Sequence, residues 1–255
     1  MNASPSETVS RLLSPGDPAP LIVQNAGGSS SHVLICDHAG REIPRRLGRL
    51  GLAEAEFERH IAWDIGAGAL ASLLGQALDA CVIKQVYSRL VADCNRSPDS
   101  RELAPPVSDG TPIPANVGLS AQAIEHRVAA IHTPYHEGIA AVLDARQASP
   151  RPITVVSVHS FTPSMNGQDR PWHVGVLHGD DSPLSKQVLS ALQAADGLVV
   201  GDNQPYALCE IDYTVPRHAQ GRGLDYLELE IRQDLIADAP GQARFASLLA
   251  RLLQP

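Results

Sequence analysis

The sequence predicts a three-layer α/β/α domain around a mixed, largely parallel central sheet. Three observations lead there. Short β-branched apolar runs alternate with segments whose apolar residues recur at helical spacing. The chain has 255 residues, 44% of them hydrophobic and 19% charged, which suits a single α/β domain with a sizeable core. Its longest apolar runs fall far short of the roughly 20 residues that a membrane-spanning helix needs.

The elements follow in chain order. Residues 1–31 carry Pro15, Pro18, Pro20 and the run Gly27-Gly28-Ser29-Ser30-Ser31, and read as an extended lead-in to one domain over residues 32–255. His32-Val33-Leu34-Ile35-Cys36 is a buried strand. Leu52 to His60 and Ile65 to Leu78 read as helices. Cys81-Val82-Ile83 and Leu90-Val91-Ala92 read as strands around a break at Tyr87-Ser88. Residues 97–118 hold five prolines and two glycines, a long loop of the kind that often serves as a lid. Ala121 to Gln147 is helical in pattern and must kink or break near Pro134. Ile153 to Val158 is a strand, and Phe161 to Pro171 is irregular. His173 to Leu177, Leu198-Val199-Val200 and Asp225 to Ile231 are further strands, with helices at Pro183 to Ala194 and about Gln242 to Leu253.

The formal charge of −8 argues against a general nucleic-acid or anionic-membrane binder, so an anionic ligand needs a local basic pocket. Cys36, Cys81, Cys94 and Cys209 are scattered and form no CxxC pair. Met1-Asn2-Ala3-Ser4-Pro5 has no charged-then-apolar leader, so the expectation is a cytoplasmic protein with reduced, mostly buried thiols.

Sheets of this kind bind ligands beyond the carboxyl ends of their strands. His38 follows directly on the strand Val33–Cys36, and His159 ends the strand Val155–Val158. One histidine so placed is most simply a loop residue bonded to backbone. Two in equivalent positions suggest a shared metal, and neutral imidazoles suit zinc, which in catalytic sites takes three protein ligands. Two carboxylates compete for the third place. Asp64 precedes a helix and has an N-cap as its plain role, whereas Glu42 lies four residues after His38 in a loop. Spacing does not choose between them.

In Tyr226-Leu227-Glu228-Leu229-Glu230-Ile231-Arg232, alternation puts Tyr226, Glu228 and Glu230 on one face. Two ionised carboxylates side by side are costly in a core, so this face lines a wet or metal-bearing cleft, or belongs to an edge strand facing solvent. Glu230, nearer the carboxyl end, is the better general base. Arg89 and Arg96 bracket Leu90-Val91-Ala92, with Asn95 beside the second. A guanidinium fork suits a substrate carboxylate, although the two could equally be surface arginines tied to Asp93 or Asp99.

Six ordered motifs carry a resemblance. They are Asp37-His38-Ala39-Gly40 with Ile43-Pro44, His60-Ile61-Ala62-Trp63-Asp64-Ile65-Gly66, and Ser88-Arg89-Leu90 with Asp93-Cys94-Asn95-Arg96. Then follow His159-Ser160-Phe161-Thr162-Pro163, Gly201-Asp202-Asn203-Gln204-Pro205-Tyr206 and Glu230-Ile231-Arg232-Gln233-Asp234-Leu235. Together, from about residue 32 to the end, they resemble a divergent branch of the N-formylglutamate amidohydrolase family. That family looks related to the zinc carboxypeptidases, which implies their phosphorylase/hydrolase-like α/β/α fold.

The resemblance implies an amidohydrolase with one zinc ion per chain, held by His38, His159 and a third ligand. The family pattern favours Asp64, the preferred third ligand, while the carboxypeptidase comparison keeps Glu42 as the alternative. Asn95 and Arg96 would hold the substrate carboxylate, Arg89 would polarise the carbonyl and Glu230 would act as base. The implied substrate is a small N-formyl or short N-acyl amino acid such as N-formylglutamate, hydrolysed to formate and the free amino acid, as in histidine degradation. The better-known enzymes have Pro-His-Ser-Gly where this chain has Asp37-His38-Ala39-Gly40, a departure that bears on the substrate more than on the scaffold. The alternatives are a zinc deacylase or carboxypeptidase-like hydrolase of other N-acyl amino acids or peptides, and a non-catalytic carboxylate-binding protein. No nucleic-acid or membrane partner is expected, and the oligomeric state stays open.

Overall fold

Alternation along the strands decides the layers. The computed structural model describes residues 12–165, 167–179, 182–208 and 212–254. Seven strands form one sheet: β1 (Leu21–Gln24), β2 (His32–Cys36), β3 (Cys81–Gln85), β4 (Thr154–Phe161), β5 (Val174–Leu177), β6 (Val200–Asp202) and β7 (Asp225–Arg232). Their order is β1-β3-β2-β4-β7-β5-β6. The pairs β3/β2, β2/β4, β4/β7 and β5/β6 are parallel, while β1/β3 and β7/β5 are antiparallel. The sheet is therefore mixed and largely parallel, as expected.

Six α-helices flank it: α1 (Ala67–Leu78), α2 (Ala121–Arg127), α3 (Thr133–Gln147), α4 (Pro183–Gln193), α5 (Thr214–His218) and α6 (Ala239–Leu253). Leu34, Val82, Val156, Val158, Leu227 and Leu229 point to one face and pack with Leu70 and Leu74 of α1, Leu192 of α4, and Phe245 and Leu249 of α6. Val33, Ile35, Ile83, Val155 and Tyr226 point to the other, where Phe57, Leu103 and the α3 residues Tyr135, Ile139 and Leu143 cover them. Each such side chain withdrawn from water contributes about 1.5–3 kcal/mol, so both layers are held mainly by apolar burial. On the second face the apolar run stops toward the carboxyl ends of β4 and β7. There Ser157, His159, Glu228 and Glu230 replace it, all of them buried. A polar cleft thus opens from the end of an apolar layer.

Several local expectations are corrected. The lead-in contributes β1, which pairs with β3 at the sheet edge. Leu52 to His60 forms only a 3-10 turn over Glu54–Glu58. Leu90-Val91-Ala92 is not a strand: Ser88 Oγ accepts the Leu90 N–H and its carbonyl accepts the Val91 N–H, so the segment closes on itself as turns. The last strand of the α4 neighbourhood begins at Val200 rather than Leu198. Around Pro134 the backbone stays helical, with the α-helical pattern interrupted just before it. A π-helical turn over Val128–His132 joins α2 to α3, and Pro134 falls in the first turn of α3, where its missing N–H is tolerated.

The loop 97–118 contains a two-residue hairpin, Val107–Ser108 with Thr111–Pro112, and the 161–171 loop contains another, Ser164–Met165 with Gln168–Asp169. Cys36, Cys81 and Cys94 are buried and free, whereas Cys209 and the first eleven residues lie outside the described residues. No helix among the described residues is long and apolar enough to cross a membrane.

Candidate active site

A cleft of about 400 Å³ lies beyond the carboxyl ends of β2 and β4, beside β7. His38 follows β2, and Gly40 keeps its loop close: a Cβ there would stand 2.0 Å from the Val86 carbonyl oxygen. Asp64 does not cap α1. Gly66 precedes that helix at φ +82°, with the Ile236 carbonyl 2.1 Å from where its Cβ would be, and the Asp64 side chain turns into the cleft instead.

Three buried side chains converge there. His38 Nδ1 lies 3.3 Å and His159 Nδ1 2.9 Å from Asp64 Oδ2, and one ligand atom from each of the three falls within 4.8 Å of the others. The outer ring nitrogens face anions or hydroxyls. His38 Nε2 is 2.8 Å from Asp93 Oδ1, while His159 Nε2 is 3.0 Å from Ser157 Oγ and 3.5 Å from Asp37 Oδ2. An N–H donated outward at each Nε2 leaves an Nδ1 lone pair directed at the centre, which is how carboxylates orient metal-ligating imidazoles.

Burial opposes charge on every member, yet the pairs override it. The two imidazoles hold the Asp64 carboxyl below its ordinary range. Arg89 and His38 hold Asp93 low in the same way. Asp37 and Asp64 raise His159 well above an ordinary imidazole. Arg89 donates to Asp93 Oδ2 at 2.7 and 3.1 Å and to Asp64 Oδ1 at 3.4 Å. Asp37, Asp64 and Asp93 are buried together, and Arg89 pairs with two of them. Protons on the imidazoles, or one divalent cation with both rings neutral, would balance the negative charge that remains. The buried His38–Asp64–His159 group is a donor set that fits a metal.

Glu230 pairs in register with His159 across β4 and β7, and Glu228 with Ser157. Because β7 is central, the edge-strand reading of this face fails: both carboxylates are buried and line the cleft. Burial pushes the Glu230 carboxyl up to about 7 and that of Glu228 up to about 8. Oε2 of each has no hydrogen-bond partner among the described residues.

Glu42 is not brought into this group. Its N–H bonds the Val86 carbonyl and its own carbonyl accepts from Ser88, which runs the loop alongside Tyr87 and leaves the side chain exposed. The structure brings Asp64, and not Glu42, beside His38 and His159.

Arg89 and Arg96 bracket turns rather than a strand, and both line the cleft. Asn95 Oδ1 accepts the N–H groups of Tyr213 and Thr214, each at 3.0 Å. Asn95 Nδ2 donates to Asp212 Oδ1 at 3.3 Å and Arg96 donates to the same oxygen at 3.2 Å. Beneath this turn lie His132, His136 and His218. His132 Nε2 is 2.9 Å from the Arg96 carbonyl, His136 Nε2 is 2.9 Å from that of Cys94, and His136 stacks on His218 at 5.1 Å. Burial lowers His136 to about 3 and His218 to about 4.

Sequence reasoning missed Asp37, Asp93 and Asp212 as parts of the site. The available signal was an aspartate embedded in an apolar stretch, as at Leu90-Val91-Ala92-Asp93-Cys94, where only a buried partner makes the charge tolerable.

Comparisons with known proteins show the fold and the family. The gene product Atu2144 from Agrobacterium tumefaciens superposes with a TM-score of 0.92 at 36% identity, over 95% of this chain and 96% of its own. An N-formylglutamate amidohydrolase from Ralstonia eutropha JMP134 has the same fold, with a TM-score of 0.66 at 17% identity over 92% of this chain and 96% of its own. Comparison with curated proteins found no match. The family model for N-formylglutamate amidohydrolase matches residues 30–237, a span that contains every residue of the cleft named above. This chain belongs to the N-formylglutamate amidohydrolase family, a family of hydrolases.

Proposed function

We propose that the protein is a zinc-dependent amidohydrolase that cleaves the amide bond of an N-formyl or short N-acyl amino acid, N-formylglutamate being the first candidate. One observation carries the reading: two buried imidazoles and a carboxylate converge at a strand-end cleft in a chain of this hydrolase family. His38, Asp64 and His159 would hold the ion, one per chain. It would supply Lewis acidity, activating water near neutral pH and polarising the scissile carbonyl.

The protein's own groups do the rest. Asn95 and Arg96 hold the substrate carboxylate and so fix the acyl group over the cleft floor. Glu230 accepts a proton from the attacking water as the oxygen adds to the carbonyl carbon. Its pKa near 7 suits a group that must first take a proton and then release it. Arg89, fixed by Asp93 and Asp64, stabilises the developing oxyanion. Glu230 then delivers its proton to the amine nitrogen as the C–N bond breaks, leaving a short carboxylate and a free amino acid.

The test is elemental analysis of the purified protein together with a screen of N-acyl amino acids for amine release. About one zinc per chain and turnover of an N-formyl substrate are expected. Absence of bound metal, or tight ligand binding with no turnover of any N-acyl amino acid, would overturn the reading and favour a non-catalytic carboxylate binder.

A further inference from the structure

We infer that Arg170, with the Tyr206 hydroxyl beside it, is the seat for a second carboxylate, and so selects N-acyl amino acids whose side chain is acidic. This seat deepens the proposed function and rests on it: there Asn95 and Arg96 hold the first carboxylate. Arg170 follows the hairpin of Ser164–Met165 with Gln168–Asp169, and its N–H bonds the Pro163 carbonyl at 2.8 Å. Its side chain reaches two residues that line the cleft. It donates to Tyr206 Oη at 2.8 Å and to Met165 Sδ at 3.1 Å, and its Cζ lies 4.8 Å from the centre of the Tyr206 ring.

Its partners set Arg170 apart from the other guanidinium groups around the cleft. Arg89 pairs with Asp93 and Asp64, Arg96 with Asp212, and Arg59 with Glu56 and Asp109. Arg170 touches a phenol hydroxyl, a thioether and a ring face, and no carboxylate pairs with it among the described residues. Two of the five N–H donors of its guanidinium are engaged, both by neutral acceptors, and the others can meet an anion. Tyr206 adds a hydroxyl: its oxygen accepts from Arg170, and its own proton has only Met165 Sδ, at 3.9 Å, to point to.

Tyr206 also ties this place to the reaction centre. It stands at the cleft mouth, 38% exposed, and the charges of Glu230 and Arg89 act on its hydroxyl together with that of Arg170. Arg96 and Tyr206 line the same cleft, which one ligand with two carboxylates can enter. A guanidinium already held by a ring and a thioether loses little freedom on binding, and a cation without a counter-ion draws anions. A neutral side chain gains from neither.

The experiment is isothermal calorimetry on the metal-loaded full chain carrying Glu230→Gln, which slows turnover. The probes are N-formyl-L-glutamate and its neutral isostere N-formyl-L-glutamine. The acid is expected to bind about tenfold tighter than the amide, the scale of one charge-assisted hydrogen bond. Adding Arg170→Gln should remove most of that preference. Arg170→Lys, which keeps the charge without the fork, should retain part of it, and Tyr206→Phe should lose a smaller share. Arg251→Gln, which deletes the same charge from α6, should leave the preference where it is. An acid bound no tighter than the amide would overturn the inference. So would a preference that survives Arg170→Gln, or one lost equally in Arg251→Gln. Wild-type protein that hydrolyses no N-acyl amino acid, while the Arg170-dependent preference holds, would strike the hydrolase reading alone. Turnover without that preference would strike this one alone.

Discussion

Two groups of buried histidines lie on either side of the turn that carries Asp93, Asn95 and Arg96, and their surroundings differ in one respect. His38 and His159 face carboxylates, which raise their proton affinity against the penalty of burial. His132, His136 and His218 face backbone carbonyls and one another, and burial lowers them. The same side chain at similar depth is thus raised in proton affinity in one group and lowered in the other. Depth alone does not set the proton affinity of a histidine here; the carboxylates around it do.

That contrast can be broken most directly by metal content. His38→Ala combined with His159→Ala should reduce bound zinc from about one per chain to near none. His136→Ala combined with His218→Ala should leave it intact, and loss of metal in both pairs would erase the distinction. Turnover comes next. Glu230→Gln should keep the metal and lose about 10²–10⁴ in kcat, the range for a removed general base, whereas Glu228→Gln should lose far less. Equal losses would mean that register beside His159 confers nothing.

The carboxylates also give a pH signature. Glu228 and Glu230 titrate near 8 and 7 in the folded chain, above the ordinary 4.5 for glutamate. Between about pH 5 and 8 the folded state therefore holds protons that the unfolded state has released, so this contribution is full at low pH and disappears as pH rises. In metal-free protein, Glu228 alone should account for about 2–3 kcal/mol of stability lost between pH 6 and 9. Denaturant titrations of wild type and Glu228→Gln at the two pH values measure it, and equal losses would refute it.

Smaller effects sharpen the other side of the contrast. His136→Ala strips the donor from the buried Cys94 carbonyl and should cost about 1–3 kcal/mol in unfolding free energy, with metal retained. Glu42→Gln, on an exposed loop, should move neither metal content nor stability beyond about 0.5 kcal/mol.

The legible and illegible parts of the site differ in range. His38 and His159 announce themselves because each ends an apolar run, and Glu228 and Glu230 because strand alternation is a local rule. The carboxylates behind the rings are set by contacts between residues far apart: Asp93 meets His38 across 55 positions, and Thr214 meets Asp37 across 177. Nothing local encodes either. Glu42, four residues after His38, stands outside the buried group because its backbone is bonded along Val86 to Ser88. Leu90-Val91-Ala92 misled because three apolar residues are equally content in a buried turn. The strand types were readable but their order was not, since β7 inserts between β4 and β5.

That insertion has a consequence for how the protein is made. The last strand in the described chain is a central one, so until residues 225–232 leave the ribosome, the β4 edge and the β5 edge both stand open. Open strand edges are adhesive, and the growing chain carries them from the emergence of β4 to that of β7. The same strand delivers Glu230. Closing the sheet and completing the cleft are therefore one event, and a molecule that has not hidden its sticky edges has not yet acquired its Glu230 carboxyl.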